Sequence, residues 1–303
     1  MTQRWDGVSR RAVLGGFAAA CATSWPRLAP AAERVSVALE GRTESLALAP
    51  GRPASRVLQL AGGAAVLRFG RGSSLDLALA NGLAIPAALS GRGLALPTPL
   101  LIERPVAPGG RASIAAAASR AGTGLLDLRL LADGTTGPIR PLPVIVDEAV
   151  PVTFDRDEVF VVEDFRIKPD GTAIAPGTDA KDAELLYSVN GQLQPDIALR
   201  PHARVRLRFI NGCHRAVIAI KIADVEAVRV IAIDSQPAEP FLARNGAVVL
   251  PPGGRTDVAI DMPAAKAPLQ VFLHDGTAAR PIARLTLSTE PPLREAPLPP
   301  AAP

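Results

Sequence analysis

The sequence predicts an all-β protein made of two Greek-key sandwiches, and three observations carry that expectation. Apolar runs are short, alternating or wholly apolar, and Gly, Pro, Asn and Asp interrupt them about every ten positions. Thirty prolines and 26 glycines stand against 4% aromatic residues, which suits many short elements joined by turns better than a helical bundle. At 303 residues the chain exceeds what one hydrophobic core usually serves, so two domains are expected. With 48% apolar and 20% charged residues, disorder along the whole length is excluded.

The first element is an export signal. Ser9-Arg10-Arg11-Ala12-Val13-Leu14 places two arginines directly ahead of an apolar segment that ends near Trp25, and Ala29-Pro30-Ala31 supplies a small-x-small cleavage pattern. The segment is shorter than the ~20 residues of a spanning helix. Residues 1–31 therefore read as a twin-arginine signal peptide, with Arg10 and Arg11 as its signal residues and the periplasm as destination. The Ala-Ala-Ala before Cys21 lacks the large aliphatic residue that lipidation sites favour. No later apolar stretch is long enough to span a membrane. The leader also accounts for most of the net charge of +4, because four Arg and one Asp fall within it. The remainder is nearly neutral, and nucleic-acid binding loses its electrostatic support.

The mature chain contains only Cys213, so no internal disulfide is available. The first domain is expected over 34–148. Within it Leu75-Asp76-Leu77-Ala78-Leu79-Ala80 alternates as a strand does and stops at the turn dipeptide Asn81-Gly82. Helical periodicity is sustained only from Arg111 to Arg120, where the alanine run fits either state. Val144-Ile145-Val146, followed by Asp147-Glu148 and Pro151, puts the boundary near 150. The second domain, 149–290, opens with Glu158-Val159-Phe160-Val161-Val162, and its strongest strands are Arg204 to Phe209 and Val228 to Ile233. The last stretch, 291–303, holds six prolines and is expected to be extended and loosely held.

Five motifs then occur in order: Tyr187-Ser188-Val189-Asn190-Gly191-Gln192, Pro195, Val205-Arg206-Leu207-Arg208-Phe209-Ile210-Asn211, Ile233-Asp234-Ser235-Gln236-Pro237, and Pro252-Gly253-Gly254-Arg255-Thr256-Asp257-Val258. Together they resemble the second cupredoxin domain of multicopper oxidases. The first half resembles that family's first domain through Gly70 to Leu83, Pro108-Gly109, Gly122-Thr123 and Leu142 to Asp147. The resemblance covers about residues 36 to 290, implies two cupredoxin-like sandwiches, and is followed by no third cupredoxin domain.

The family's copper-binding H-x-H-G falls here on Ser90-Gly91-Arg92-Gly93, and its G-T-x-x-x-H-x-H on Gly122 to Arg129. The four histidine positions are held by Ser90, Arg92, Asp127 and Arg129. Arginine stays protonated and cannot ligate a metal, and its charge repels Cu(II). An ion cluster of Arg92, Asp127 and Arg129 is expected to close the former cavity, since residues two apart on a strand share a face.

The remaining inventory points the same way. The histidines are His202, His214 and His274, at no spacing of a joint site, and the mature methionine is Met262. Cys213-His214 could hold Cu(I), but strand neighbours face apart and the pair falls at a strand end, so a structural role is favoured. His274-Asp275-Gly276 reads as a hairpin turn, and Asp155-Arg156-Asp157-Glu158 as an acidic turn before a strand. There is no G-x-S-x-G, P-loop, H-E-x-x-H or paired C-x-x-C. Gly70-Arg71-Gly72 and Gly91-Arg92-Gly93 lack the third glycine of a dinucleotide fingerprint. Arg204, Arg206 and Arg208 lie on one face at period two, a candidate surface for an anionic partner.

The expectation is a periplasmic, non-catalytic protein that needs no cofactor and scaffolds or binds another periplasmic or envelope protein. It resembles the copper-free, Tat-exported cell-division protein of the superfamily. The alternatives are a copper-dependent oxidoreductase with sites completed by another subunit, and a copper chaperone using Cys213 and His214.

Overall fold

The computed structural model describes residues 33–95, 105–130, 137–149, 154–225, 227–264, 268–296 and 298–299. The stretch expected to be a signal peptide, with Arg10 and Arg11, lies outside them. Residues Glu33–Pro303 form one compact unit.

Strands in the first half follow from alternation. In β4 (Ser74–Asn81) Leu75, Leu77 and Leu79 turn inward. β1 (Arg34–Leu46) runs parallel to it with Val37 beside Leu77 and Leu39 beside Leu79. With β2 (Ser55–Ala61), β6 (Arg111–Ala117) and β8 (Ile139–Arg140) they form a sheet in the order β6-β4-β1-β2-β8. The facing sheet holds β3 (Leu67–Gly70), β9 (Leu142–Asp147), β7 (Gly122–Leu130) and β5 (Ala87–Arg92), in that order. Leu39, Leu60, Leu77, Leu89, Leu128 and Val144 fill the space between the two sheets.

Two local expectations are resolved here. The ambiguous Ala-rich run is strand β6, paired antiparallel to β4 with Ile114 opposite Leu77. Alanine by itself favours helix, and pairing with β4 and burial of Ile114 and Ala116 on one face override that preference and settle the period at two. Asn81-Gly82 is not a tight hairpin, because the chain crosses there from one sheet to the other. The Asn81 side-chain amide donates to the carbonyls of Ile85 and Val106 and its oxygen accepts from the Leu83 N–H, which satisfies backbone groups the crossing exposes.

The second half repeats the plan. One sheet has the order β11 (Glu184–Val189), β10 (Arg156–Ile167), β13 (Arg204–Asn211), β18 (Arg255–Asp261), β15 (Arg229–Ile233) and β16 (Gln236–Leu242). Its partner has β12 (Asp196–Leu199), β20 (Ala279–Leu287), β19 (Leu269–His274), β14 (Ile218–Ile222) and β17 (Ala247–Leu250). Val205, Leu207, Val258, Leu250 and Val271 pack between the sheets, and Phe160 and Phe209 contribute tilted rings 5.2 Å apart. No sheet joins strands before Asp147 to strands after Arg156 among the described residues. No helix among the described residues is long and apolar enough to cross a membrane.

The Pro-rich tail is not loosely held where it is described. The Ser288 N–H donates to the Leu199 carbonyl at 2.8 Å, and Arg200 donates to Pro291 O at 2.8 Å. Arg294 grips both oxygens of Asp155 at 2.7 and 2.8 Å and the His202 carbonyl at 2.6 Å. His202 Nδ1 lies 2.7 Å from the Arg294 carbonyl, and Arg204 donates to the carbonyls of Leu298 and Pro299. Proline removes N–H donors but leaves carbonyls, and arginines of the second sandwich use them.

Candidate functional site

The four positions singled out in the sequence, Ser90, Arg92, Asp127 and Arg129, lie on β5 and β7. Their register sets Ser90 opposite Asp127, Ala88 opposite Arg129 and Arg92 opposite Leu125. Leu89, Leu126 and Leu128 face the core, so Ser90, Arg92, Asp127 and Arg129 share the other face, as period two requires.

The expected ion cluster does not form on that face. Arg92 reaches away to the second sandwich, donating to the Pro252 carbonyl at 2.8 Å, and its guanidinium fills space that any side chain at Gly253 would occupy. Arg129 is exposed. Asp127 pairs with neither arginine among the described residues. Burial pushes its carboxyl above the usual aspartate range, against the weaker pull of Arg129, His214 and Arg92. One cation has found a carbonyl and the other stays in water, so neither draws Asp127 into a pair.

The donor set here is one hydroxyl, one carboxylate and two guanidiniums. Such a set does not fit copper, which takes imidazole, thiolate or thioether. Among the described residues no group of three or more His, Cys, Asp and Glu is placed to hold a metal ion.

The buried polar centre of the molecule lies elsewhere, on the arginine stripe. Arg204, Arg206 and Arg208 do share one face of β13, opposite the core residues Val205, Leu207 and Phe209. The reading of that face as a partner surface is corrected, because Arg206 is 4% exposed and Arg208 1%. The first sandwich and the connecting segment cover them. Arg208 forks onto Asp157 at 2.7 and 2.8 Å and donates to Thr123 Oγ1 at 2.9 Å and Asp257 at 3.1 Å. Arg206 donates to Asp257 at 2.7 Å and Glu148 at 2.6 Å, beneath the Phe154 ring. Arg204 pairs with Asp261 at 2.8 Å.

Antiparallel register accounts for this matching. Arg208 faces Asp257 and Arg204 faces Asp261 across β13 and β18, so acids spaced by four meet arginines spaced by four. Burial is the largest influence on the carboxyls of Asp157 and Glu148 and raises both, but the hydrogen bonds and charges of Arg208 and Arg206 together outweigh it and hold both below the usual range.

Thr123 ties the halves together. Its hydroxyl donates to Asp257 at 2.6 Å, and its carbonyl accepts from Ser235 Oγ at 2.6 Å and Arg255 Nε at 3.1 Å. Glycines make this approach possible. A Cβ on Gly122 would lie 2.9 Å from Ser235, and one on Gly93 would lie 2.7 Å from its hydroxyl. Sequence reasoning had passed over Thr123, Asp157 and Asp257 as members of a joint centre. The available signal was Asp257 and Asp261 at the spacing of Arg204 and Arg208.

The other candidates have structural partners. Cys213 is buried, its thiol pushed up by desolvation, with Sγ 3.7 Å from the Val162 carbonyl. The His214 N–H donates to Asp164 at 2.9 Å, and burial lowers its imidazole. Asp275 caps the β19–β20 hairpin, accepting from the N–H groups of Thr277 and Ala278. In the acidic turn Asp155 is held by Arg294, Asp157 by Arg208 and Glu158 by Arg156.

No protein-family model matches the chain, and no curated protein does either. Solved structures do. A multicopper oxidase from Pseudomonas thermotolerans is 24% identical, with a TM-score of 0.74, over 88% of this chain and 68% of its own. A bacterial laccase-like multicopper oxidase from the lignin-degrading Ochrobactrum sp. is 19% identical, with a TM-score of 0.71, over 90% of this chain and 68% of its own. The multicopper oxidase mgLAC is 20% identical, with a TM-score of 0.64, over 86% of this chain and 88% of its own. The chain thus has the cupredoxin-like fold of these proteins and spans about two thirds of the first two.

Proposed function

We propose that the chain is an exported protein of multicopper-oxidase fold that works without copper, binding or scaffolding another periplasmic or envelope protein. The single observation behind this reading is the side-chain chemistry at the four ligand positions. Two of them carry fixed positive charge, and Arg92 is committed to the Pro252 carbonyl. The twin-arginine leader supports export to the periplasm.

The test is metal analysis of mature protein purified after growth with copper, together with turnover of a phenolic substrate. Substoichiometric copper and no turnover are expected. Near-stoichiometric copper, or oxidation of the phenol, would replace this reading by the oxidoreductase completed by another subunit. Affinity purification of tagged protein from periplasm then identifies the partner.

A further inference from the structure

A groove of about 570 Å3 opens on the outer face of the six-stranded sheet, within the ~300–1,000 Å3 of small-molecule sites. It is lined by Ala259 and Ile231 of the sheet, by Phe154 of the connecting segment and by Pro240 of β16. Ile231 reaches the groove through a bulge. The register of β15 slips between Val230 and Ala232, which leaves Ile231 without a partner on β18. The surface is therefore mainly carbon.

Its charge is not balanced. Arg204 and Arg206 line the groove but are matched by Asp261, Glu148 and Asp257. Arg71 and Arg229 line it too, and neither makes an ion pair among the described residues. Arg229 is moreover half-buried. An apolar trough with two guanidiniums unpaired among the described residues complements a molecule with an apolar body and one anionic head, because a guanidinium fork donates two parallel hydrogen bonds to a carboxylate.

We propose that this groove binds a small single-headed amphiphilic anion, an alkyl carboxylate, its head drawn by the two lining guanidiniums that have no ion-pair partner among the described residues and its chain against Phe154, Ile231 and Ala259. This goes beyond the copper-free reading and does not depend on it, since the groove lies apart from Ser90, Asp127 and Arg129.

The test is calorimetric titration of the mature protein with octanoate, 1-octanol and acetate. Octanoate should bind, with octanol and acetate each weaker by about tenfold or more. Arg71→Ala with Arg229→Ala should weaken octanoate by about tenfold and flatten its salt dependence. Ala259→Trp should block binding by filling the groove. Ala238→Trp, on the edge strand, does the same should the first variant fail to fold, as read by near-UV circular dichroism. Absent octanoate binding, or binding unchanged in the arginine double variant, overturns the proposal. Sedimentation with phosphatidylglycerol vesicles without octanoate binding would overturn it in favour of a bilayer surface.

Discussion

Asp257 and Asp127 show how differently two carboxylates of one chain can be placed. Asp257 is 1% exposed and accepts from Arg206, Arg208 and Thr123. Its removal would leave Arg206 paired with Glu148 alone, Arg208 paired with Asp157 alone, and the buried Thr123 hydroxyl without its acceptor. Asp257→Ala should cost about 3–5 kcal/mol in urea unfolding at neutral pH. Asp127 behaves oppositely. Because burial raises its carboxyl, the folded state favours the protonated form, and ionisation costs stability as pH rises above the ordinary aspartate value of ~3.9. Asp127→Asn should therefore leave stability at pH 7 unchanged or higher, and the difference from wild type should vanish below that pH. A loss on the scale of the Asp257 variant would restore the ion cluster at Arg92 and Arg129.

Among elements, the tail carries the clearest expectation. Arg294 holds Asp155 below the usual carboxylate range through its hydrogen bonds, and burial opposes this only in part. A carboxylate depressed in the folded state stabilises fully above its unfolded value of ~3.9 and loses that contribution as pH falls through the folded one. The segment around Leu293 and Arg294 should stay protected from hydrogen exchange at pH 5 and open only below about pH 4. Asp155→Ala should open it at neutral pH, measured as faster exchange there with the sheets unchanged. Unaltered protection in that variant would mean the carbonyl contacts of Arg200 and Arg204 suffice.

Legibility at this scale followed local information. Alternating Leu75, Leu77 and Leu79 announced β4, and Arg204 to Phe209 announced β13, since period two is written in consecutive residues. The fate of the alanine run was not written there, because only pairing with β4 distinguishes it. The docking of the tail is not legible in its own composition, because proline content reports lost donors, whereas arginines far along the chain supply the grip. The residue types at Ser90, Arg92, Asp127 and Arg129 could be read directly from the sequence. Their contacts could not, since the nearest partner of Arg92 is a carbonyl 160 residues away.

For the molecule as a whole, the second sandwich has the larger aromatic and branched core, including Phe160, Phe209, Val205, Ile220 and Leu285. The first depends more on leucine and alanine. Each side chain contributes in proportion to apolar area removed from water, at about 25 cal/mol per Å2. Limited proteolysis should leave a resistant fragment beginning near residue 150. A surviving fragment of the first sandwich alone would reverse that ranking.

The meeting of Gly122, Thr123 and Ser235 bears on how such chains are recombined. Among the described residues a cut near residue 148 severs no sheet and leaves the core inside each sandwich whole, so gene shuffling would treat the halves as interchangeable parts. They are not, because the surface of each half is shaped to its mate. Gly93 and Gly122 make room for Ser235, Gly253 makes room for Arg92, and Asp257 awaits Thr123. A chimaera that imports either half from another protein inherits intact folding units with an ill-fitting joint. Exchange will succeed only when the glycines of one parent travel with the serine, arginine and aspartate of the other.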